Sequence, residues 1–242
     1  MPRNTESFTK KALKSPDLVE NMFDAVADKY DLANRLLSLG RDQRWRNTAA
    51  KLTRATKDSL VLDACTGTAD LAIAVHKVTG SKVVGVDFSK DMLRIGTEKV
   101  EKSGLSDKIT SKHASVMQLP YDDGTFDAVT VGFGLRNTPD YQAAIKEFYR
   151  VVRPGGYFVC LESSQPESLF LKVPYKIYLS IMFPLIGRLA SGDYKAYKYL
   201  SDSTQVFPPK KELAGMMRES GWKNVSIKSL LFGGIAIHSA QK

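Results

Sequence analysis

Two carboxylates stand where apolar runs end. Leu60-Val61-Leu62 runs into Asp63 and then Ala64-Cys65-Thr66-Gly67-Thr68-Ala69-Asp70, and Val83–Val86 ends at Asp87, followed by Phe88-Ser89. An acid at the end of a strand can accept hydrogen bonds from both hydroxyls of an adenosine ribose. Bonds of this charge-assisted kind are among the stronger ones. A glycine in the preceding strand-to-helix turn lets backbone N–H groups approach a ligand closely. Taken singly, Gly67 is also compatible with a plain turn, and Asp87 and Ser89 with capping the next helix. The conjunction of a glycine turn with two acidic strand ends favours a nucleoside site. The spacing G-x-G-x-x-G is absent, which argues against a nicotinamide cofactor. A third polar group, Arg136-Asn137, follows the run Phe126–Val131 and so falls at the same edge of a sheet. Arginine is a poor base but a good anion partner; the alternative for Arg136 is a structural salt bridge. Asp140 is placed to cap the helix that follows.

These residues need strands to carry them. Apolar runs at 60–62, 83–86, 126–131 and 157–161 alternate with helical patterns at 69–78, 89–102 and 140–151. Such alternation predicts an α/β fold, a doubly wound and mostly parallel sheet covered on both faces. Upstream, Ser15-Pro16 reads as a helix start, and Leu18, Met22, Val26 and Tyr30 recur at a four-residue step that makes one helical face. Residues 1–15 read as a frayed polar stretch, and a second helix is expected over 42–55. Residues 167–207 are apolar and aromatic, with Pro174 and Pro184 as breaks. A helix is expected over 210–221, ended by Gly221, and 225–231 with 234–239 forms a closing antiparallel pair. The expected organisation is one domain over 1–242, with a sheet core at about 56–165 and 209–242 and a helical cap from 16–55 and 167–207.

Bulk properties narrow the class. The 242 residues are 43% hydrophobic and 25% charged, ordinary for a globular protein. No stretch is long and apolar enough to span a bilayer, and the N-terminus lacks the apolar centre of a secretory signal. Two cysteines, Cys65 and Cys160, make neither a disulfide scaffold nor a metal site, and a cytoplasmic setting is expected. His76, His113 and His238 are far apart, so no metal is expected. His238 is expected to be a structural histidine, with contact to a substrate as the alternative. The formal charge of +9 favours anionic partners such as nucleic acid, acidic lipid or an anionic substrate.

LDACTGTADLA, VVGVDFSKDML and RVVRPGGYFVCLESSQP resemble the class I S-adenosylmethionine methyltransferases. MFDAVADKYDLANRLLSLGRDQRW, VGFGLRNTPDYQAAIKEFYRVVRPGG and the ending GGIAIH are similar to signatures of one family within that class, the ubiquinone/menaquinone biosynthesis C-methyltransferases. The likeness runs from about Asn21 to Lys242, and CTGTAD with LESSQP resembles the menaquinone branch more than the ubiquinone branch. The resemblance implies a Rossmann-like sheet of seven strands and S-adenosyl-L-methionine as co-substrate. It also implies a polyprenyl naphthoquinol acceptor, demethylmenaquinol, methylated at a ring carbon; a benzoquinol of the ubiquinone pathway is the alternative. Thr68 and Asp87 would bind the cofactor, with Asp63, Gly67 and Phe88 beside them and His113-Ala114 flanking the adenine. The family carries Asn or Asp where this chain has His113, Ser in many members where it has Gly132, and His in one branch where it has Asp42.

Methylation of a quinol carbon needs an enolate-like ring, hence an anion stabiliser, a proton path and a dry aromatic pocket. Arg136 and Asn137 are the candidates for the phenolate. Tyr30, with Asp31 and Asn34, would close over the cofactor. Tyr175, Tyr178 and Tyr197, within an aromatic set that includes Phe183, Tyr194, Tyr199 and Phe207, suit a quinone and its isoprenoid tail. The segment 169–190 mixes apolar residues with Lys172 and Lys176, which suits peripheral contact with an anionic membrane at its inner face; packing wholly onto the sheet is the alternative. A homodimer is a further expectation. Nucleic acid is not expected as a partner, since no base-flipping motif is present. Two rivals remain: a nucleic-acid methyltransferase, prompted by the charge, and a non-catalytic quinone carrier, which would need neither Asp87 nor the glycine turn.

Overall fold

The computed structural model describes residues 16–242; the polar N-terminal stretch and the Ser15 cap lie outside the described residues. Seven strands form one sheet: β1 (Leu60–Ala64), β2 (Lys82–Asp87), β3 (Ile109–His113), β4 (Phe126–Gly132), β5 (Val152–Ser163), β6 (Lys223–Leu230) and β7 (Ile235–Gln241). Their order is β3-β2-β1-β4-β5-β7-β6. The first five pair in parallel, and β7 runs antiparallel to both β5 and β6. β1 pairs with β2 on one side and β4 on the other. The order reverses at β1, so a crevice opens beyond the carboxyl ends of β1 and β4, the usual ligand position in open sheets of this type.

The two-residue period of the strands divides the core. Val61, Val83, Ala128 and Val159 face α3 (Asp42–Leu52), α4 (Asp70–Thr79) and α5 (Lys90–Lys102). Leu62, Val86, Val129 and Phe158 face α6 (Tyr141–Val151) and α10 (Lys210–Glu219). Strands buried on both faces must be apolar at nearly every position, which is why these four were readable as unbroken runs. β3 was not. Only Ile109 of its five residues is buried, because β3 is an edge strand with polar faces. Ser89 and Asp140 cap α5 and α6, accepting from Met92 N–H at 3.1 Å and Ala143 N–H at 3.0 Å.

The cap differs from its expected outline in three places. The N-terminal helix α1 (Pro16–Val26) stops at Val26, a 3-10 turn spans Ala27–Lys29, and α2 (Tyr30–Leu37) starts anew. The four-residue stripe is therefore broken before Tyr30. α3 ends at Leu52, not at 55, where the Thr53 hydroxyl bonds back to the Ala50 carbonyl at 2.6 Å and Arg54 turns to φ +53°. Its Trp45, Ala49 and Ala50 pack on the sheet with Val61 and Ala72, so α3 belongs to the sheet's own helical layer. Pro174 does not break α7 (Leu169–Ile177) but lies inside it, and a wider π-type turn at Tyr178–Met182 leads into α8 (Phe183–Ser191), with Pro184 in the first turn. A proline there removes one i→i−4 bond, and a local change of helical pitch is a common accommodation. α9 (Tyr194–Val206) closes the cap against α1 and α5, burying Tyr197, Tyr199 and Leu200 with Val19, Phe23 and Met92.

Candidate active site

The turn after β1 is built from left-handed backbone. Cys65 (φ +53°), Gly67 (φ +53°) and Ala69 (φ +64°) alternate with Thr66 and Thr68. Two side chains with non-glycine positive φ are costly locally, so the turn must be held from outside. Thr66 N–H bonds the Val86 carbonyl at 3.0 Å, and Gly67 N–H donates to Asp87 Oδ2 at 2.8 Å. Beneath it, Asp63 is wholly buried and accepts from the Thr66 and Thr130 hydroxyls, each at 2.7 Å. Burial raises the Asp63 carboxyl to about 6, against the pull of those hydroxyls. The sequence placed Asp63 among the ligand contacts; in the structure it stands at the base of the turn, outside the cavity wall, because β1 delivers its side chain between β1 and β4. The loop after β4 crosses this turn closely: a Cβ on Gly134 would sit 2.3 Å from the Cys65 Cβ.

A cavity of about 410 Å³ lies over the turn. Gly67, Thr68, Asp87, Phe88, His113 and Ala114 all line it, and Gly132 lies at its floor where a Cβ would press on Leu71 at 2.9 Å. Asp87 is buried; desolvation pushes its carboxyl up while the Ser89 and Gly67 amides pull it down, for a net rise. Its Oδ1 accepts from Ser89 N–H at 3.0 Å. A carboxylate has about four acceptor sites, so it retains acceptor capacity beyond its backbone amides. His113 is exposed, and its Nε2 lies 2.8 Å from the Phe88 carbonyl. That nitrogen must donate, which leaves Nδ1 as the acceptor of a neutral ring. Ala114 N–H is already engaged by the Asp87 carbonyl at 3.0 Å, so Ala114 presents its side chain and carbonyl, not a free amide.

A second cavity, of about 370 Å³, adjoins the first. Tyr30, Arg46 and Phe133 line both. Trp45, Tyr175, Tyr178, Phe183 and Leu200 give it an aromatic and apolar wall, and Arg136 joins Arg46 as a second buried cation. Arg136 donates to Glu162 Oε1 at 2.5 Å and to the Phe133 carbonyl at 2.7 Å. The pair is deep, with side chains 6% and 1% exposed. Burial works against the guanidinium charge, but Glu162 and Tyr30 more than offset it, so Arg136 stays firmly cationic. Its Nε–H is buried without a hydrogen-bond partner among the described residues. Asn137 lines the first cavity, donating to the Phe133 carbonyl at 3.3 Å and accepting from the Tyr199 hydroxyl at 3.3 Å. Tyr30 is held above its ordinary value by burial despite Arg136 nearby.

Tyr197 departs from expectation. It lines neither cavity and is fully buried in the cap core against Phe183, ring centroids 6.2 Å apart. Phe207 likewise packs on Tyr141 in the sheet core, and Tyr194 is partly exposed. Aromatics at helical spacing are indistinguishable as core or cavity lining until the helix's rotation is known. His238 is buried, bonded through Nε2 to the Lys210 carbonyl at 2.8 Å and held below its ordinary value by burial. It lines neither cavity, and its Nδ1 is buried with no hydrogen-bond partner among the described residues, so it is a structural histidine but only half satisfied.

Several site residues escaped the sequence reading. Thr68 donates to Asp31 at 2.6 Å, Asp31 pairs with Lys99, Lys99 with Asp70 at 2.7 Å, and Asp70 with Arg46 at 3.4 Å. Arg46 also bonds Asp42 at 2.6 Å, so the position that differs from the family signature anchors the arginine shared by the two cavities. This chain of charges ties α2 and α3 to the turn and to α5. The i,i+4 spacing of Asp42 and Arg46 was a visible signal. Glu162 carried one too: like Asp63 and Asp87, it is an acid ending an apolar strand.

The arrangement offers a buried carboxylate and backbone cradle beside an aromatic, largely apolar chamber with two buried, paired arginines, Arg46 and Arg136. Among solved structures the fold is shared with the [4+2]-cyclase SpnF, with a TM-score of 0.69 at 17% identity covering 95% of this chain and 96% of that one. It is shared also with a SAM dependent methyltransferase from Aquifex aeolicus, with a TM-score of 0.61 at 16% identity covering 87% and 97%. At such identities the likeness speaks to fold alone. Sequence relatives say more. A demethylmenaquinone methyltransferase of Bacillus mycoides is 43% identical over 222 residues, 91% of this chain and 93% of the relative. Another, from Bacillus cereus, is 42% identical over 226 residues, 93% and 95%. The model of the ubiE/COQ5 methyltransferase family matches residues 10–242, and with nearly the whole sequence so accounted for, the chain belongs to that family.

Proposed function

We propose that this S-adenosylmethionine-dependent methyltransferase transfers a methyl group to a ring carbon of demethylmenaquinol, giving menaquinol in menaquinone biosynthesis, and that residues 1–242 act as one methyltransferase domain. The observation that carries the reading is the meeting of two cavities at Tyr30, Arg46 and Phe133, one lined by Asp87 and the turns after β1 to β4, the other aromatic and holding Arg136. The named activity of the Bacillus relatives supports the same acceptor. A benzoquinol would fit the same chemistry, but no relative named above points to it. A nucleic-acid acceptor is disfavoured by the apolar lining of the second cavity, and a pure carrier by the cradle around Asp87. Pairing of two copies and peripheral contact with anionic lipid at the inner membrane face belong to the same proposal. Among the described residues no helix is long and apolar enough to cross a membrane.

When bound, the cofactor supplies an electrophilic methyl on a sulfonium. The residues of this chain do the rest. Asp87 takes the ribose hydroxyls on its remaining acceptor sites. Phe88, Ala114 and His113 bracket the adenine, and Gly67 and Thr68 bring the turn's backbone against the amino-acid portion, with Gly132 leaving room at the floor. Tyr30 and Phe133 separate the two chambers and exclude water from the transfer path. Transfer would require the acceptor carbon to be held close to the methyl group, and Tyr175 and Tyr178 would hold a flat ring in the second cavity. Arg136, fixed by Glu162, stabilises the oxyanion left when a ring hydroxyl loses its proton to water, and the proton on the methylated carbon leaves to water after transfer; Asn137, bonded to the same Phe133 carbonyl as Arg136, holds that loop in place. Because Glu162 neutralises part of the guanidinium field, the stabilisation comes mainly from directed N–H donors, which act strongly in a water-poor site. The test is incubation of the purified protein with S-adenosylmethionine and either demethylmenaquinol or a polyprenyl benzoquinol, read by mass spectrometry. A gain of one methyl on the naphthoquinol is expected; methylation of the benzoquinol alone, or of neither, would overturn the assignment.

A further inference from the structure

Large apolar side chains stand exposed on three segments far apart in sequence. The end of α2 and the turn after it carry Leu36 and Leu39; α7 carries Phe170 and Val173; the turn between β6 and β7 carries Phe232. Phe170 is 93% exposed, and Leu39 and Phe232 are each 80% exposed. The segments join. The Tyr178 hydroxyl, just after α7, donates to the Leu37 carbonyl at 3.3 Å, and the Tyr175 hydroxyl donates to the Gly234 carbonyl at 3.1 Å. Leu36, Leu39 and Leu231 also line the second cavity. The mouth of the acceptor chamber therefore opens within the apolar patch. Scattered exposed leucines are ordinary, but a joined patch around a cavity mouth marks a binding surface.

The charges on these segments have one sign. Residues 32–41, 169–191 and 225–234 contain no Asp or Glu. Arg35, Arg41, Lys172 and Lys176 are exposed among the apolar side chains. Apolar residues interleaved with cations and free of acids match an anionic lipid surface, whose headgroups meet the cations while the apolar side chains enter the interface.

We propose that this three-part rim is the face by which the protein docks on an anionic bilayer. It is wider than segment 169–190 alone, and the acceptor's polyprenyl tail leaves the chamber through the rim directly into the hydrocarbon. The proposal rests on the acceptor reading above. It makes the rim a specificity device: the ring is held beside Arg136 while the tail never crosses water.

The test uses a Phe170→Asp/Phe232→Asp variant, since neither residue lines a cavity. Flotation with phosphatidylcholine vesicles, with and without phosphatidylglycerol, is measured beside kinetics on a long-prenyl acceptor in vesicles and a short-prenyl acceptor in solution. The wild type should float with the phosphatidylglycerol vesicles, less at high salt. The variant should lose about tenfold or more of that partition and show a comparably raised KM for the vesicle-borne acceptor. Its kcat and KM on the short-prenyl acceptor should match the wild type. Lys172→Glu/Lys176→Glu is the second arm: it should remove the increment due to phosphatidylglycerol and leave binding to phosphatidylcholine, whether or not the first variant folds. Unchanged flotation of either folded variant would overturn the proposal. So would a wild type that ignores vesicles but is a dimer by light scattering and is made monomeric by the Phe170/Phe232 changes, which would assign the face to a second copy. If the wild type binds vesicles yet methylates neither acceptor, the functional reading fails and the docking face stands.

Discussion

The two cavities share Tyr30, Arg46 and Phe133, yet their other walls are made by different means. The first is assembled around the turns that follow β1, β2, β3 and β4, with Glu20 and Phe23 of α1, Leu71 of α4 and Met92 of α5 beside them, and its floor is shaped by main chain: left-handed residues at 65, 67 and 69, and amides fixed on Asp87. The second is assembled from α2, α3, the loop after β4, the segment from α7 to α9 and the turn before β7, and its shape comes from side chains. A cradle for a common cofactor needs the same backbone geometry whatever the acceptor, so short local motifs suffice. A chamber for a particular acceptor needs only apolar volume and a fixed cation, which many sequences supply. Damage should therefore act differently on the two sides.

The largest effect is expected at Arg136. Arg136→Ala leaves Glu162 buried without its partner, a change that typically costs about 3–5 kcal/mol of stability. Turnover should fall on the order of 100- to 1000-fold if the guanidinium stabilises the developing anion, while cofactor affinity changes little. Calorimetric binding beside steady-state kinetics separates these effects. Equal losses in both would merge the two regions into one.

Asp63 gives the cradle a pH signature. Its folded value of about 6 stands above the ordinary 3.8. A raised acid is protonated in the fold while already ionised in the open chain, so its contribution is fully present below the ordinary value and lost as pH rises through the folded one. The span corresponds to a loss on the order of 3 kcal/mol. Urea unfolding of the wild type between acidic and neutral pH should show this decline against the background of other groups, and Asp63→Asn should flatten it. An equally steep decline in the variant would mean that another group carries it.

Asp87→Ala should weaken S-adenosylmethionine binding by about 1.5–3 kcal/mol, the range for hydrogen bonds to a charged group. The variant should remain folded, and the KM for the acceptor should be nearly unchanged. Isothermal titration that finds wild-type affinity would remove Asp87 from the cradle. The smallest effect belongs to the chamber wall. Tyr175→Phe loses the bond to the Gly234 carbonyl, about 0.5–1.5 kcal/mol, and should raise the KM for the acceptor a few-fold with cofactor affinity intact. A change in cofactor affinity instead would erase the division.

Much of the cradle was legible because its determinants are local. An unbroken apolar run ending in an acid, then a glycine turn, then a helix, describes β1 with its turn and β2 with Asp87, and the helix caps at Ser89 and Asp140 were legible for the same reason. Asp63 was read by the same rule; in the structure it lies beneath the turn and off the cavity wall, held by the hydroxyls of Thr66 and Thr130, partners that no local pattern names. Arg136 stands at the sheet's edge as read and makes the salt bridge given as its alternative; that its partner is Glu162 was not legible because Glu162 arrives on the next strand, 26 residues later.

The sequence by itself determined the alternation of strands and helices, the parallel sheet with its closing antiparallel pair, the position of Asp87 at the end of β2 and the family signatures, since each is written within a dozen residues or so and reflects the period of one element. Only the tertiary structure decided which aromatics face the chamber and which fill the core. Tyr175 and Tyr178 line the cavity while Tyr197 is buried against Phe183, although all three sit in the same aromatic stretch. It also decided that Arg46, on the helix expected over 42–55, stands between the two cavities. The physical reason is that burial of an aromatic or a paired charge is favourable in either place. Helix rotation and the position of a partner from a distant segment select between the two, and neither is encoded in the spacing of neighbouring residues.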